Sequence, residues 1–295
     1  MSVQITTAFK NQYHSNVTLA LQQMDTRFRN AVRVETISGE YDYFDQIGAT
    51  SAYLESIRHG DTVYTDTPHT RRRCSLAKYG WSDLIDKEDK IKAVLDPTSS
   101  YVQNAVAAMF RQMDDVIVTA FDASVATGVA GGDTTTFDSK NIVAVTVGDT
   151  VTGSAACGLN VAKLQAAAKI LNANEVPRED RFCAISAEQI DDLLSETKVG
   201  SADYNLVRPL ADGTVSKFMG FTFIPSERLG TDSSSYREVL VWQKNGLLLG
   251  IGDEVWSEID RLPTKRYSTQ VYVSMMLGAV RMDEKACVQI LCSEA

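Results

Sequence analysis

Residues 99–122 read SSYVQNAVAAMFRQMDDVIVTAFD, with apolar side chains at Val102, Ala105, Val106, Met109, Phe110, Met113, Val116, Ile117, Ala120 and Phe121. Steps of three and four, kept over about six turns, predict one amphipathic helix buried on one face along its whole length. At about 1.5 Å per residue it spans roughly 36 Å, the width of a small domain. Pro97 stops any helix from running into it from upstream, and Ser99 or Ser100 is placed to cap it. A beam of this length dictates what packs around it, so a structural role comes into view ahead of any chemistry.

Upstream of the beam the chain is polar. Residues 5–29 carry Phe9, Tyr13, Val17, Leu21, Met24 and Phe28 at helical spacing. That stripe is too thin for a core of its own and reads as an arm that packs on something else. Residues 32–85 are β-like: VRVETISGEYDYFDQIG alternates and is rich in β-branched and aromatic residues, and YTDTPH at 64–69 reads as a hairpin end. A long polar hairpin does not stabilise itself in water, so it needs another surface. Residues 85–95, IDKEDKIKAVL, read as a short charged helix.

Downstream the elements are shorter and mixed. VATGVAGGDTTTFD (125–138) reads as a flexible loop and NIVAVTV (141–147) as a strand. A helix is expected over 159–172, with Asn160 as its cap, then a buried strand over 181–186 and a short helix over 187–195. Two strand pieces bent at Gly220 follow over 214–224. Residues 237–252 read as strand, turn, then a small helix or strand, and two strands surround Gly278 and Asp283 to Lys285. No strict β-α-β alternation with a glycine fingerprint is present, which argues against a doubly wound nucleotide-binding fold.

Composition narrows the function classes. The net charge of -9 is a poor background for gripping nucleic acid, although an acidic protein can enclose it. No apolar run approaches the ~20 residues that span a bilayer, and the first residues lack the pattern of a secretory signal, so no membrane partner is expected. The five cysteines are scattered without a C-x-x-C pair, which points to reduced, mostly buried thiols rather than disulfides or zinc.

Chemistry-bearing patterns are sparse. His14, His59 and His69 fall in the arm and hairpin, away from any metal-ligand spacing. There is no G-x-S-x-G elbow and no Walker A loop, and Gly246, Gly250 and Gly252 read as backbone turns. The pairs Asp114-Asp115 and Asp191-Asp192 sit on helices, where neighbours point about 100° apart, so they do not converge on one atom. Asp114 and Asp115 are expected opposite the apolar stripe, as solvated or interface charges. Cys287 and Cys292 read as core. Arg71, Arg72 and Arg73 are the one basic cluster. The preferred reading is a strand of charges that pairs with acids on a neighbouring subunit; a nucleic-acid patch and a solvated edge are the alternatives, the former weakened by the absence of aromatic partners nearby in the sequence. No cofactor, metal site or catalytic residue is expected.

The order of these pieces resembles the major capsid protein of tailed bacteriophages, whose fold encapsulin shells share. The likeness rests on KFMGFTFIPSERL at 217–229, GAVR at 278–281, taken as a small-residue turn into the last strand, and WQKNGLLL at 242–249. It covers nearly the whole chain by order of elements. It implies an α+β fold with an N-terminal arm over 1–32, an extended hairpin loop and linker over 33–90, a peripheral domain with the spine helix over 91–149, a mixed α/β axial domain over 150–262, and strands returning to the peripheral domain over 263–295. It implies a non-enzymatic subunit that self-assembles into pentamers and hexamers of an icosahedral head around double-stranded DNA, read without sequence specificity. A separate scaffolding protein and a portal are the implied partners, and the virion capsid, assembled in the host cytoplasm, is the implied location. Arg71, Arg72, Arg73, Phe9, Tyr13 and Phe28 are the expected assembly contacts. Some members of this family join subunits through Lys–Asn isopeptide bonds, and no residue here matches that site. An encapsulin-type shell that packages enzymes is the near alternative, and an unrecognised enzyme the distant one.

Overall fold

The computed structural model describes residues 22–58, 60–85, 98–148, 155–195 and 217–294. The arm residues Phe9 and Tyr13, the charged helix expected over 85–95 beyond Ile85, and His14 and His59 lie outside them. The chain forms two compact units. One takes in the described parts of 1–26, Lys78–Met113 and Asp253–Leu277; the other takes in Arg27–Ala77, Asp114–Gly252 and Gly278–Ala295.

The long helix, α1, covers Thr98–Asp122. Its start at Thr98 places Ser99 and Ser100 inside the first turn rather than ahead of it. Ala105, Met109, Met113, Ile117, Ala120 and Phe121 are buried as the spacing requires, while Val102, Val106, Phe110 and Val116 are half-buried at the margins. In the first unit, Arg111 donates to the Gln22 side chain at 2.8 Å and to the Gln23 carbonyl at 3.0 Å, and Gln22 donates to Asn104 at 2.9 Å. The end of the arm is therefore bonded to the chain's own spine helix. It is not helical there: past residue 22 the described arm holds only a short 3-10 turn, Arg29–Ala31.

The strands are β1 (Arg33–Thr36), β2 (Tyr41–Ile47), β3 (His69–Ser75), β4 (Ala77–Ile85), β5 (Val125–Thr127), β6 (Asp133–Thr135), β7 (Ile142–Val143), β8 (Arg181–Ile185), β9 (Lys217–Phe218), β10 (Phe221–Pro225), β11 (Arg237–Gln243), β12 (Leu247–Leu262), β13 (Ser268–Arg281) and β14 (Cys287–Cys292). They form a four-stranded sheet in the order β1-β12-β13-β4, a six-stranded sheet β7-β14-β11-β8-β10-β9, and a four-stranded sheet β2-β3-β5-β6.

The six-stranded sheet carries the main core of the second unit. Helix α2 (Val161–Ala173) starts at Asn160, whose side chain accepts from the Lys163 amide at 2.8 Å, as expected of a cap. Leu164, Ala167 and Leu171 of α2 and Leu193 of α3 (Ala187–Ser195) pack on Cys183, Ile185, Phe221, Val239, Val241, Val288 and Ile290. Trp242, on the opposite face of β11, meets Phe28, Phe121 and Phe182 with ring centroids 5.9, 6.4 and 6.1 Å away, and donates to the Ala31 carbonyl at 2.9 Å.

Several expectations give way to tertiary pairing. The segment 125–138 is not a loop throughout: β5 and β6 form a hairpin that joins β3 at Arg72↔Thr127. Of the strand expected over 141–147, only Ile142–Val143 is strand, where it pairs parallel with β14, and a turn follows. Residues 247–252 are strand, not helix. Gly278 makes no turn; it lies inside β13, where the Ser75 carbonyl oxygen comes within 2.1 Å of the place a Cβ would occupy. The small residue is required by a backbone approaching from the side, not by a bend. The bend at Gly220 is present, with φ of +86°.

Candidate assembly interface

In β2 and β3 the antiparallel register sets Tyr43 opposite Arg73, Phe44 opposite Arg72 and Asp45 opposite Arg71. Alternation then sends the three arginines to two faces. Arg71 and Arg73 share the outer face with Tyr41, Tyr43 and Asp45. Arg71 bonds both carboxylate oxygens of Asp45, at 2.5 and 3.1 Å, and stacks over Tyr43 at 5.4 Å. That bond holds the exposed Asp45 carboxyl below the usual carboxylate range. Arg73 lies over the Tyr41 ring at 5.6 Å. The cluster thus has aromatic partners, supplied across the strands where linear sequence does not reveal them. Within the subunit, the acid that Arg71 binds is on its own hairpin, one strand away.

Arg72 points the other way and is buried. It donates to the Met282 carbonyl at 3.2 Å and lies 3.6 Å from the Glu284 carboxylate. Burial pulls its pKa below the ordinary arginine value, and Glu284 opposes that shift. Glu284 also binds Arg281 at 2.6 Å. Arg281, fully buried, donates to the carbonyls of Phe121 and Ala123 at the end of α1 and stacks on Phe137 at 5.0 Å. One carboxylate therefore ties the hairpin, through Arg72, to the cation that satisfies the orphan carbonyls of the spine helix. Sequence reasoning missed this cluster, although a charged residue inside the apolar run VSMMLGAVRM was a signal.

Phe28 is also spent internally. It is buried against Trp242, so it has no face left for a neighbour. Asp114 is not opposite the stripe. It stands four residues after Phe110 and three before Ile117, which puts it on the apolar face. Its buried carboxylate accepts the amides of Arg27, at 3.0 and 3.2 Å, and Phe28, at 3.3 Å. Asp115, one step round the helix, pairs with Arg228.

Several of the most exposed apolar side chains lie at the end of β2 or between β2 and β3, with Val129 of the β5–β6 turn a further one. Leu54 and Tyr64 are 90% exposed, Ile57 75% and Ile47 71%. A groove of about 500 Å³ beside the hairpin is lined by Asp45, His69, Arg71, Arg72, Thr127 and Val129. Among the described residues no group of His, Cys, Asp and Glu is arranged to hold a metal ion, and no helix is long and apolar enough to cross a membrane. All five cysteines are free.

Residues 5–294 match the phage capsid protein family, and the chain belongs to it. No curated protein matches. Among solved structures, the capsid of cyanophage P-SCSP1u superposes with a TM-score of 0.75 at 18% identity, over 100% of this chain and 96% of that one. A Mycobacterium phage Che8 chain gives 0.71 at 18% identity over 96% and 97%, and the cyanophage Pam1 capsid 0.71 at 13% identity over 98% of both. At these identities the superpositions establish the fold, and the family match carries the function: this is a major capsid protein, a structural subunit of a phage head shell and not an enzyme.

Proposed function

We propose that this subunit packs as pentamers and hexamers of an icosahedral head that encloses double-stranded DNA without reading its sequence. The segment between β2 and β3 reaches over one neighbour, and the arm ahead of Gln22, with Phe9 and Tyr13, clasps another. The six-stranded sheet with α2 and α3 serves as the axial domain, and α1 with the strands packed beside it as the peripheral domain. The observation that carries this reading is the group Ile47, Leu54, Ile57 and Tyr64, which a lone subunit leaves in water. Arg71 and Arg73, on the outer face of the same hairpin, belong to the same contact, while Arg72 sets the hairpin's base. A separate scaffolding protein and a portal complete the assembly, which takes place in the host cytoplasm.

Negative-stain electron microscopy of the protein, expressed with and without its neighbouring genes, tests this. Closed shells, or fivefold and sixfold rings, are expected, and particles from infected cells should contain DNA. Shells filled with enzyme and free of DNA would replace the head by an encapsulin-type compartment. Small uniform oligomers under every condition would overturn the assembly scheme.

A further inference from the structure

Beyond Ile251, the β12–β13 hairpin carries its charge in two separate blocks. Asp253, Glu258 and Asp260 lie along the outer half of β12, with Trp256 and Ile259 exposed among them. Lys265 and Arg266 occupy the tip, and Arg261 stands beside Asp260 at the end of β12, all exposed. β1 pairs with β12 only as far as Ile251, so past that point the outer edge of β12 has no strand on it among the described residues. The facing part of β13, 268–277, contains no charged residue, so the acids have no cross-strand base. No ion pair among the described residues uses any of these six side chains. At about 3.3 Å per residue, Glu258 lies roughly 13 Å along β12 from Leu262, where the turn to Lys265 and Arg266 begins, and no ion pair joins it to either.

We propose that this hairpin makes a head-to-tail contact between copies: the basic tip of one docks on the acidic edge of β12 in the next, over Trp256 and Ile259. The proposal rests on the shell reading, because a contact between two different patches propagates from copy to copy until it closes. The opposite signs on tip and edge also penalise tip-to-tail reversal, since tip against tip or edge against edge brings like charges together. Raising the salt concentration weakens the contact.

Three variants test it: a tip variant, Lys265→Glu with Arg266→Glu; an edge variant, Glu258→Lys with Asp260→Lys; and a swapped variant carrying all four changes. Every substituted side chain is exposed, and unfolding midpoints of the unassembled subunits check that the fold is intact. Tip and edge variants should each yield at least tenfold fewer shells than the parent by sedimentation and negative stain. The swapped variant should recover most of the parent's yield, because its blocks are complementary again. Parent-like yields from the tip and edge variants, or a swapped variant no better than either, would overturn the contact and leave the shell reading standing. A parent chain that forms no shells would bring down both.

Discussion

Two buried charges do the most specific work at the scale of single residues. Asp114 holds the chain at Arg27 and Phe28 against the spine helix; Asp114→Ala leaves those amides buried without that acceptor and should cost about 2–3 kcal/mol in urea unfolding of the unassembled subunit. Lys163 is fully buried, with its ammonium 2.6 Å from the Cys157 carbonyl and 2.8 Å from that of Leu291. Lys163→Met keeps the packing volume but removes the ammonium from both carbonyls, of which that of Cys157 still accepts the Ser293 amide at 3.1 Å, so a loss of about 1–3 kcal/mol is expected. The thiols give a pH signature. Burial pushes Cys74 up to about 11 and Cys292 up to about 12. Each keeps its proton in the fold at a pH where the unfolded chain gives it up, so their contribution is complete below about pH 9 and is lost as pH rises toward those values. Cys74→Ala should flatten the decline in unfolding free energy between about pH 9 and 11 relative to the parent; an unchanged slope would show that other groups cause it.

Close backbone approach decides which glycines matter at the scale of elements. Gly278→Ala brings a methyl group against the Ser75 carbonyl, which is backbone and cannot swing away. A cost of about 2 kcal/mol or more is expected by chemical denaturation. Gly220→Ala meets open space but keeps φ at +86°, so about 1 kcal/mol is expected there. The elements were legible to different degrees for a physical reason. Helices α1, α2 and α3 carry their own periodicity, and α2 its Asn160 cap, so their bounds fall within a residue or two of expectation. The short strand β5 holds its conformation through pairing with β3 and β6, and nothing in its own residues announces that.

For the whole molecule, the hairpin is where subunit stability and assembly separate. Leu54→Ser with Tyr64→Ser removes exposed side chains, so the unfolding midpoint of the subunit should stay put while shell yield falls. A drop in both would place the tip within the subunit's own fold. Replacing Arg71 and Arg73 with Ser should weaken assembly in a salt-sensitive way with little loss of subunit stability. Adding Arg72→Ser should destabilise the subunit itself by about 2–4 kcal/mol, because Glu284 then loses a buried partner. Truncation follows the same division. Removing residues 1–21 spares Phe28, whereas removing 1–30 deletes a ring packed on Trp242 and should cost about 3–5 kcal/mol.

What the sequence alone determined is the set of features that repeat locally. The beam of α1, the capped helix α2 and the short helix α3 follow from periodicity and capping over short stretches. Tertiary structure decided what each charge is for. Arg71, Arg72 and Arg73 are consecutive in the chain, yet strand alternation gives two of them to the half-buried outer face and one to the core, and Glu284, more than two hundred positions away, sets the buried one's role. Such roles depend on which backbone lies alongside. Local propensity does not encode that, because pairing between distant strands is fixed by the packing of the whole core.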